Sequence, residues 1–236
     1  MLAAHLELKT YVPDGAFAAF IARPVQAAPA PVVIVLQEIF GVNADLRETC
    51  RELASAGFIA VAPDLFWRDA PGLDLNAWSE SEWARGLALY QAYDVDRGVR
   101  DIAAVVDMAR AIPGATGKVG VMGFCLGGLM TYLTAARVRI DAAAAFYGGG
   151  IDQHLEEADA IKAPFILHLG DQDEFIPAPA QAAIQSRLKG RVETSVYLYP
   201  GCSHAFARHT GAHYDADAAR LAFGRTLDHF AWSLLS

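Results

Sequence analysis

The sequence has few cysteines, few basic residues and no long apolar run, and each shortage excludes a class of protein. Its 3 cysteines, Cys50, Cys125 and Cys202, are too few and too irregularly spaced for a disulfide framework or a CxxC zinc site. Lys and Arg total 19 against 27 Asp and Glu, which gives a formal net charge of −8 at pH 7. Nucleic-acid backbone binding needs clustered positive charge, so we expect no nucleic-acid partner.

The apolar residues occur only in short runs. No segment approaches the roughly 18 residues that a membrane-spanning helix needs. The first nine residues lack the basic region, apolar stretch and small-residue cleavage site of a secretory leader. These features predict no membrane partner and a cytoplasmic location, whose reducing environment suits the few thiols.

Length and composition favour one globular domain. Hydrophobic residues make up 54% of the chain and charged residues 19%, which is enough apolar material for a large core. The 236 residues fit one large α/β domain, although length alone also permits two small ones. Because no repeat or low-complexity tract interrupts the chain, we predict a single domain over residues 1–236.

Short apolar runs alternate with segments of helical periodicity along the chain. This alternation is typical of an α/β protein with a central, mostly parallel sheet and helices on both faces. Near-continuous apolar runs such as residues 32–36 indicate strands buried on both faces. The predicted strands are residues 31–36, 58–63, 119–122, 142–147, 165–169 and 194–199, with one or two edge strands around residues 15–22. The predicted helices are residues 43–56, 76–93, 95–112, 127–138, 179–189 and 215–234.

The turn GFCLG at residues 123–127 lies between an apolar run and a helical pattern. A strand, a sharp turn and a helix in this order are typical of a nucleophile elbow, here with Cys125 in the usual serine position. Glycines two residues to either side permit the close backbone approach that such a turn requires. The following helix N-terminus favours a thiolate. The alternative is that Cys125 is a buried structural residue.

Two polar loops further along the chain contain the partners that a nucleophile needs, in the order acid and then histidine. The segments 170–177 and 199–206 both follow apolar strands, where the polar site residues of parallel sheets lie. We predict Asp173 as the acid in preference to Asp171, and His204 as the base. Turn or cap roles for the aspartates, and an ordinary polar role for His204, stay open at this point.

A metal site is another interpretation of these loops. His168, Asp171, Asp173 and His204 are ligand types that zinc accepts. No compact HxH or HxxxH pair accompanies them, so we expect no metal and no cofactor.

Four motifs stand out along the chain: QEIFGVN (37–43), GFCLGG (123–128), GDQDEFIP (170–177) and PGCSH (200–204) followed by FAR (206–208). In this order they resemble the dienelactone hydrolase family, whose members are cysteine hydrolases of the α/β-hydrolase fold. Shorter matches extend over essentially the whole chain. The resemblance implies the α/β-hydrolase fold.

The resemblance also implies a role for each reacting residue. Cys125 would be the nucleophile, His204 the base and then the acid, and Asp173 the group that orients His204. In the family, the glutamate at the position of Glu38 lies beside the thiol. It takes the thiol proton when substrate binding displaces its carboxylate. The alternative for Glu38 is a cap on the following turn.

The groups that would contact the substrate follow from the same resemblance. The backbone N–H groups of Ile39 and Leu126 would form the oxyanion hole. Arg208 matches a family arginine that contacts a substrate carboxylate. A second family arginine aligns with Trp83, which could instead form an apolar wall or simply pack. Arg85 is the nearest substitute, but a shift of two helical positions points its side chain elsewhere.

The expected activity is hydrolysis of a lactone or carboxylic ester through a thioester. In the family the substrate is dienelactone, which is opened to maleylacetate. Two alternatives stay open: a carboxylesterase or thioesterase with the same triad and a less charged substrate, and a non-catalytic relic that binds a small acid or senses oxidants. Cys50 and Cys202 are expected to be structural, and a monomer is expected.

Overall fold

An eight-stranded sheet forms the centre of the protein. The computed structural model describes residues 8–26 and 28–235. The strands are β1 (Leu8–Val12), β2 (Gly15–Ala22), β3 (Ala30–Leu36), β4 (Ile59–Pro63), β5 (Ala115–Phe124), β6 (Ala142–Phe146), β7 (Phe165–Gly170) and β8 (Thr194–Tyr199). Their order is β1-β2-β4-β3-β5-β6-β7-β8, and the pairs from β4 to β8 are parallel. The predicted mostly parallel sheet is confirmed.

Within the described residues, six α-helices surround the sheet: α1 (Ala44–Ser55), α2 (Glu80–Ala92), α3 (Val95–Arg110), α4 (Leu126–Arg137), α5 (Ala178–Leu188) and α6 (Ala216–Leu234). Their bounds lie within a few residues of the predictions. None of the helices in the described part of the chain is long and apolar enough to cross a membrane.

Helices cover both faces of the sheet, as the apolar strands predict. Every residue of β3, β4, β6 and β7 is buried. Residues three apart in a strand point to opposite faces. A Cβ on Gly120 would touch Leu234 of α6, whereas a Cβ on Gly123 would lie 2.3 Å from the Gly127 carbonyl oxygen of α4. Helices α6 and α4 therefore pack on opposite faces.

Helix α2 begins at Glu80, four residues later than predicted. The Asn76 side chain accepts a hydrogen bond from the Trp78 N–H at 3.0 Å, and the Ser79 hydroxyl accepts one from the Glu82 N–H at 3.4 Å. Asn and Ser side chains that bind nearby N–H groups favour turns and helix caps over helix interiors. Residues 76–79 therefore form a capped entry to the helix.

Three other elements differ from the sequence predictions. Strand β5 is longer than residues 119–122, because pairing with β3 and β6 on both sides outweighs the weak strand preference of its glycines. Strand β1 is an edge strand, but β2 lies between β1 and β4. A 3₁₀ helix over Ile151–Ala160 has no counterpart among the predictions.

Candidate active site

Cys125 lies at the turn between β5 and α4, as the elbow motif predicts. Its φ of 54° and ψ of −113° are unusual for a residue with a side chain, and its side chain makes no cap hydrogen bond to α4. A Cβ on Gly127 would lie 2.2 Å from the Leu36 carbonyl oxygen. The flanking glycines thus let β5, α4 and β3 approach closely enough to hold Cys125 in this conformation.

His204 and Asp173 form a buried pair beside Cys125. His204 Nδ1 lies 2.8 Å from Asp173 Oδ2, and the other oxygen, Oδ1, accepts hydrogen bonds from the N–H groups of Phe175 and Ile176 at 2.9 and 3.2 Å. These bonds fix the carboxylate in the loop after β7. The carboxylate accepts the Nδ1 proton, so Nε2 of neutral His204 is left to accept a proton.

The protonation of His204 depends on Cys125. Burial alone lowers the pKa of His204, but the charge of Cys125 and hydrogen bonds to Asp173 and Cys125 outweigh it and raise the pKa to about 10. Cys125 and His204 line the same cavity, so the thiol lies beside the imidazole. His204 is thus placed to exchange a proton with Cys125, whose thiolate is the reactive form of a cysteine nucleophile.

The other candidate acid and the other buried histidine have separate roles. Asp171 Oδ1 accepts a hydrogen bond from the Gly201 N–H at 2.7 Å, so Asp171 joins two loops. His168 is fully buried in β7, where its ring nitrogens lie 2.9 Å from the Tyr199 hydroxyl and 3.1 Å from the Thr226 hydroxyl. Burial, with Arg225 and His229 nearby, lowers the pKa of His168 to about 3. His168 therefore stays neutral and packs within the core.

Glu38 lies in the same pocket but pairs with Arg208. Glu38 Oε2 accepts a hydrogen bond from Arg208 Nη1 at 3.0 Å, and the Arg208 guanidinium also lies over the Phe40 ring, 4.9 Å from its centroid. Glu38 Oε1 is buried and has no hydrogen-bond partner among the described residues. Glu38 therefore acts as the counter-ion of Arg208 here rather than as a cap on the following turn.

Leu126 and Ile39, whose amides the sequence predicts as the oxyanion hole, lie on two segments beside Cys125. Leu126 is the first residue of α4, where a helix leaves its N–H groups without intrahelical partners. Ile39 follows β3, the strand next to β5, in the loop that contains Glu38. In the described part of the chain, neither amide donates to a backbone carbonyl. Both residues line the pocket that contains Cys125.

A cavity of about 330 Å³ opens over Cys125 and is mostly apolar. Its charged and titratable lining residues are Glu38, Tyr90, Cys125, Glu174, His204, Arg208 and His213. Its other lining residues are Ile39, Phe40, Trp83, Leu87, Leu126, Gly149, Phe175 and Ala205. The volume and apolar walls suit a small ester or lactone.

Helix α2 forms one wall of this cavity. Trp83, Leu87 and Tyr90 line it, and a Cβ on Gly86 would lie 2.6 Å from the Ile39 carbonyl oxygen, so Gly86 allows α2 to approach the oxyanion loop. Arg85 is exposed and does not line the cavity. The structure therefore brings Trp83 to the pocket and leaves Arg85 outside it, as the helical rotation predicts.

Sequence reasoning missed three residues of the site. Tyr147, with a φ of 36°, packs against His204 with ring centroids 5.1 Å apart. Glu174 and His213 also line the pocket. The position of Tyr147 directly after β6 was a usable signal. Glu174 and His213 lie far apart in the sequence, and only the folded loops bring them together.

The remaining thiols and a small acidic cluster lie apart from this pocket. Cys50 and Cys202 are buried, and burial raises the pKa of both thiols. Among the described residues, His154, Glu156 and Glu157 have ligand atoms within 4.8 Å of one another. Arg137 already donates hydrogen bonds to both Glu157 oxygens at 2.6 Å. This cluster is therefore a surface ion-pair network.

Comparison with known proteins gives consistent matches over nearly the whole chain. The model of the dienelactone hydrolase family matches residues 17–234. Carboxymethylenebutenolidase of Pseudomonas putida is 40% identical over 232 residues, which cover 98% of this chain and 97% of the relative. Carboxymethylenebutenolidase 1 of Cupriavidus pinatubonensis is 36% identical and 92% of each chain is covered. A solved dienelactone hydrolase-like promiscuous phosphotriesterase from metagenomic libraries, 23% identical, covers 99% of both chains with a TM-score of 0.80, which shows the shared fold.

Proposed function

The chain belongs to the dienelactone hydrolase family and is a hydrolase of ester or lactone bonds, and from this premise we propose that it opens dienelactone to maleylacetate through a thioester on Cys125. The observation that carries the proposal is that Cys125 and the hydrogen-bonded pair of His204 and Asp173 meet at an apolar cavity of about 330 Å³. A nucleophile, a base and an orienting acid in this geometry are the parts of a covalent hydrolase.

In the first half of the reaction, the Cys125 sulfur attacks the lactone carbonyl carbon. The carbonyl oxygen becomes an oxyanion, which the N–H groups of Leu126 and Ile39 stabilise. The partial positive charge at the N-terminus of α4 adds to this stabilisation. When the intermediate collapses, the ring C–O bond breaks and the leaving oxygen takes a proton from His204. The product of this half is a thioester.

In the second half, water hydrolyses the thioester. Neutral His204 removes a proton from the water, whose oxygen attacks the thioester carbonyl carbon. The same two amides stabilise the second oxyanion. The C–S bond then breaks, the new carboxylic acid leaves, and the thiolate returns beside protonated His204. Asp173 orients the imidazole and stabilises its positive charge in both halves.

Glu38 and Arg208 are the groups proposed to respond to the substrate. Arg208 is the cation that would bind the substrate carboxylate, and it is paired with Glu38 at 3.0 Å. A carboxylate that binds Arg208 competes with Glu38 for the guanidinium. Displaced Glu38 would then be available to accept the proton of any Cys125 thiol that has not already passed it to His204.

A second candidate function is hydrolysis of a less charged ester with the same triad. The observation that favours it is the wall of Trp83, Leu87 and Tyr90, in a cavity whose one cation among the described lining residues, Arg208, already has a counter-ion. A charged substrate loses hydration against such a wall, whereas an alkyl or aryl ester gains apolar contact. The chemistry would be unchanged.

The deciding experiment is steady-state hydrolysis of cis- and trans-dienelactone beside p-nitrophenyl acetate. We expect Cys125→Ala to lose at least about 10³-fold in turnover. Turnover of a dienelactone that depends on Cys125 and exceeds that of the simple ester supports the main proposal. Turnover of the simple ester alone supports the second candidate and removes dienelactone as the substrate.

The other two thiols provide matched controls. Cys50→Ala and Cys202→Ala should keep the turnover number within a few-fold, because both thiols are buried and remain protonated. A loss in either variant as deep as that of Cys125→Ala would overturn the assignment of the nucleophile. Alkylation of Cys125 without hydrolysis of any ester would instead support the non-catalytic relic.

The cysteines also support a cytoplasmic location. Cys50, Cys125 and Cys202 are unpaired thiols, and the proposed chemistry requires Cys125 to stay reduced. A reducing compartment maintains that state.

A further inference from the structure

Glu174 and His213 form a charged pair among the residues that line the pocket. His213 Nδ1 lies 3.9 Å from Glu174 Oε1, and each side chain is 48% exposed. Glu174 comes from the loop after β7 and His213 from the loop after β8. The pair therefore lies where the pocket meets solvent.

Both side chains form hydrogen bonds with the main chain of His204. Glu174 Oε2 accepts a hydrogen bond from the His204 N–H at 3.3 Å, and His213 Nδ1 lies 3.2 Å from the His204 carbonyl oxygen. A carbonyl oxygen only accepts, so Nδ1 of His213 must carry the hydrogen. In the neutral ring Nε2 is then an acceptor, and in the protonated ring it is a second donor with a positive charge.

The charge of His213 determines the net charge at this opening. Of the other ionisable groups at the pocket, Glu38 is paired with Arg208, and His204 is paired with Asp173 and lies beside Cys125. Glu174 is then left with His213 as its neighbour. When His213 is neutral, Glu174 repels an anionic substrate, and when His213 is protonated, this repulsion is cancelled.

We propose that His213 is a specificity residue that admits anionic substrates by neutralising Glu174, so that the substrate carboxylate reaches Arg208 without repulsion at the opening. The proposal rests on the proposed function, in which the substrate carries a carboxylate. Because the neutralisation requires the protonated ring, this preference should weaken as rising pH removes the proton from His213. Trp83 lines the same pocket but is uncharged. Arg208 and His213 are therefore the residues that favour an anionic substrate.

The test compares two esters with the same leaving group, the anionic p-nitrophenyl hydrogen succinate and the neutral p-nitrophenyl butyrate. The measured quantity is the ratio of their kcat/KM values at pH 5.5 and pH 7.5. Release is read at the wavelength where p-nitrophenol and its anion absorb equally. Because neither ester is a lactone, the test gives an answer even if dienelactone is not a substrate.

In the wild type, the anionic-to-neutral ratio should fall about two- to fivefold between pH 5.5 and pH 7.5, the size expected for a partly exposed charge pair. His213→Gln should have the lower ratio at both pH values, and its ratio should not change with pH. Glu174→Gln, whose amide oxygen can still accept from the His204 N–H, should raise the ratio at pH 7.5. His209→Gln removes an exposed histidine of the same loop and should behave as the wild type does.

Two outcomes would overturn the proposal. One is a pH-dependent ratio that persists in His213→Gln. The other is an equal loss on both esters in His213→Gln, which would mean that His213 only holds the His204 main chain. In either case, Cys125-dependent turnover of dienelactone would still support the proposed function.

Discussion

Hydrogen bonds distinguish two aspartates that lie two residues apart. Asp173 faces His204 at 2.8 Å, whereas Asp171 accepts from the Gly201 N–H at 2.7 Å. An aspartate that fixes a histidine tautomer loses this role as the amide, because the amide nitrogen cannot accept the Nδ1 proton. An aspartate that accepts from a backbone N–H keeps most of its role, because the amide oxygen still accepts.

We therefore expect Asp173→Asn to lower kcat by about 10²- to 10⁴-fold and Asp171→Asn by no more than a few-fold. The measurement is hydrolysis of p-nitrophenyl acetate at pH 7.5, with circular dichroism to verify that both variants are folded. The reverse order of losses would show that Asp171 is the acid.

Glu38 allows a second test at the scale of one side chain. In the structure Cys125 is a partner of His204 and Glu38 is a partner of Arg208, so the resting thiol does not depend on Glu38. Glu38→Gln should leave the rate of Cys125 alkylation by iodoacetamide within about twofold. If substrate binding moves the Glu38 carboxylate onto the thiol, Glu38→Gln should lower kcat/KM for dienelactone at least about tenfold.

The same variant can contradict this account in two ways. Slow alkylation of Glu38→Gln would mean that Glu38 activates the resting thiol. Unchanged hydrolysis would mean that Glu38 is only the counter-ion of Arg208. Arg208→Lys is the matched comparison, because lysine keeps the charge but loses the paired donors of the guanidinium.

At the scale of elements, close contacts explain why two helical glycines should respond oppositely to the same change. A Cβ on Gly127 in α4 would lie 2.2 Å from the Leu36 carbonyl oxygen, whereas nothing lies within 4 Å of a Cβ on Gly224 in α6. Gly127→Ala must force α4 away from β3, and this should displace Cys125 and lower the free energy of unfolding by more than about 2 kcal/mol.

Gly224→Ala is the control for this prediction. Alanine favours a helix over glycine, so the variant should gain about 0.5–1 kcal/mol and keep wild-type activity. Urea unfolding measures both variants. Equal stability of Gly127→Ala and the wild type would show that the elbow tolerates a side chain there.

The elements also show what sequence patterns can predict. Buried strands such as β3 and β6 are apolar along their length, so composition alone identifies them. The 3₁₀ helix over Ile151–Ala160 has only Ile151 and Ala158 buried, which gives no helical periodicity to detect. The position of β2 inside the sheet depends on its pairing with β4, a contact between distant segments that local sequence does not encode.

At the scale of the whole molecule, the parallel sheet explains how much of the site is predictable. The strands before Glu38, Cys125, Asp173 and His204 are β3, β5, β7 and β8, and their carboxyl ends meet at one edge. Motif order therefore predicts that these residues converge. The pairing of Glu174 with His213 depends on the path of two loops beyond that edge, and the sequence has no comparable pattern for it.

The buried histidine of β7 connects pH to global stability. The pKa of His168 is lowered to about 3, mainly by burial, whereas an unfolded histidine has a pKa of about 6.5. Between these two pKa values the unfolded chain binds more protons at this residue than the folded chain does. The stability that neutral His168 contributes is therefore fully present above pH 6.5 and is lost as pH falls towards 3. The slope from this group is about 1.4 kcal/mol per pH unit.

Urea unfolding at pH 4.5, 5.5 and 7 tests this linkage. His168→Gln should be less stable at pH 7, because its hydrogen bonds to Tyr199 and Thr226 are altered, but its stability should fall less steeply towards pH 4.5. His209→Gln, which removes an exposed histidine, should keep the wild-type slope. An identical slope in His168→Gln would show that other groups account for the acid sensitivity.

Helix α2 has a consequence for how this protein can evolve. The reacting groups lie on loops after the strands, but Trp83, Leu87 and Tyr90 come from one helix, in which only Gly86 is buried among its described residues. Substitutions in α2 can therefore reshape the cavity at little cost to the core or to the reacting groups. Substitutions confined to this one helix can therefore change which ester the enzyme accepts, which gives descendants of this chain a short mutational path to new substrates.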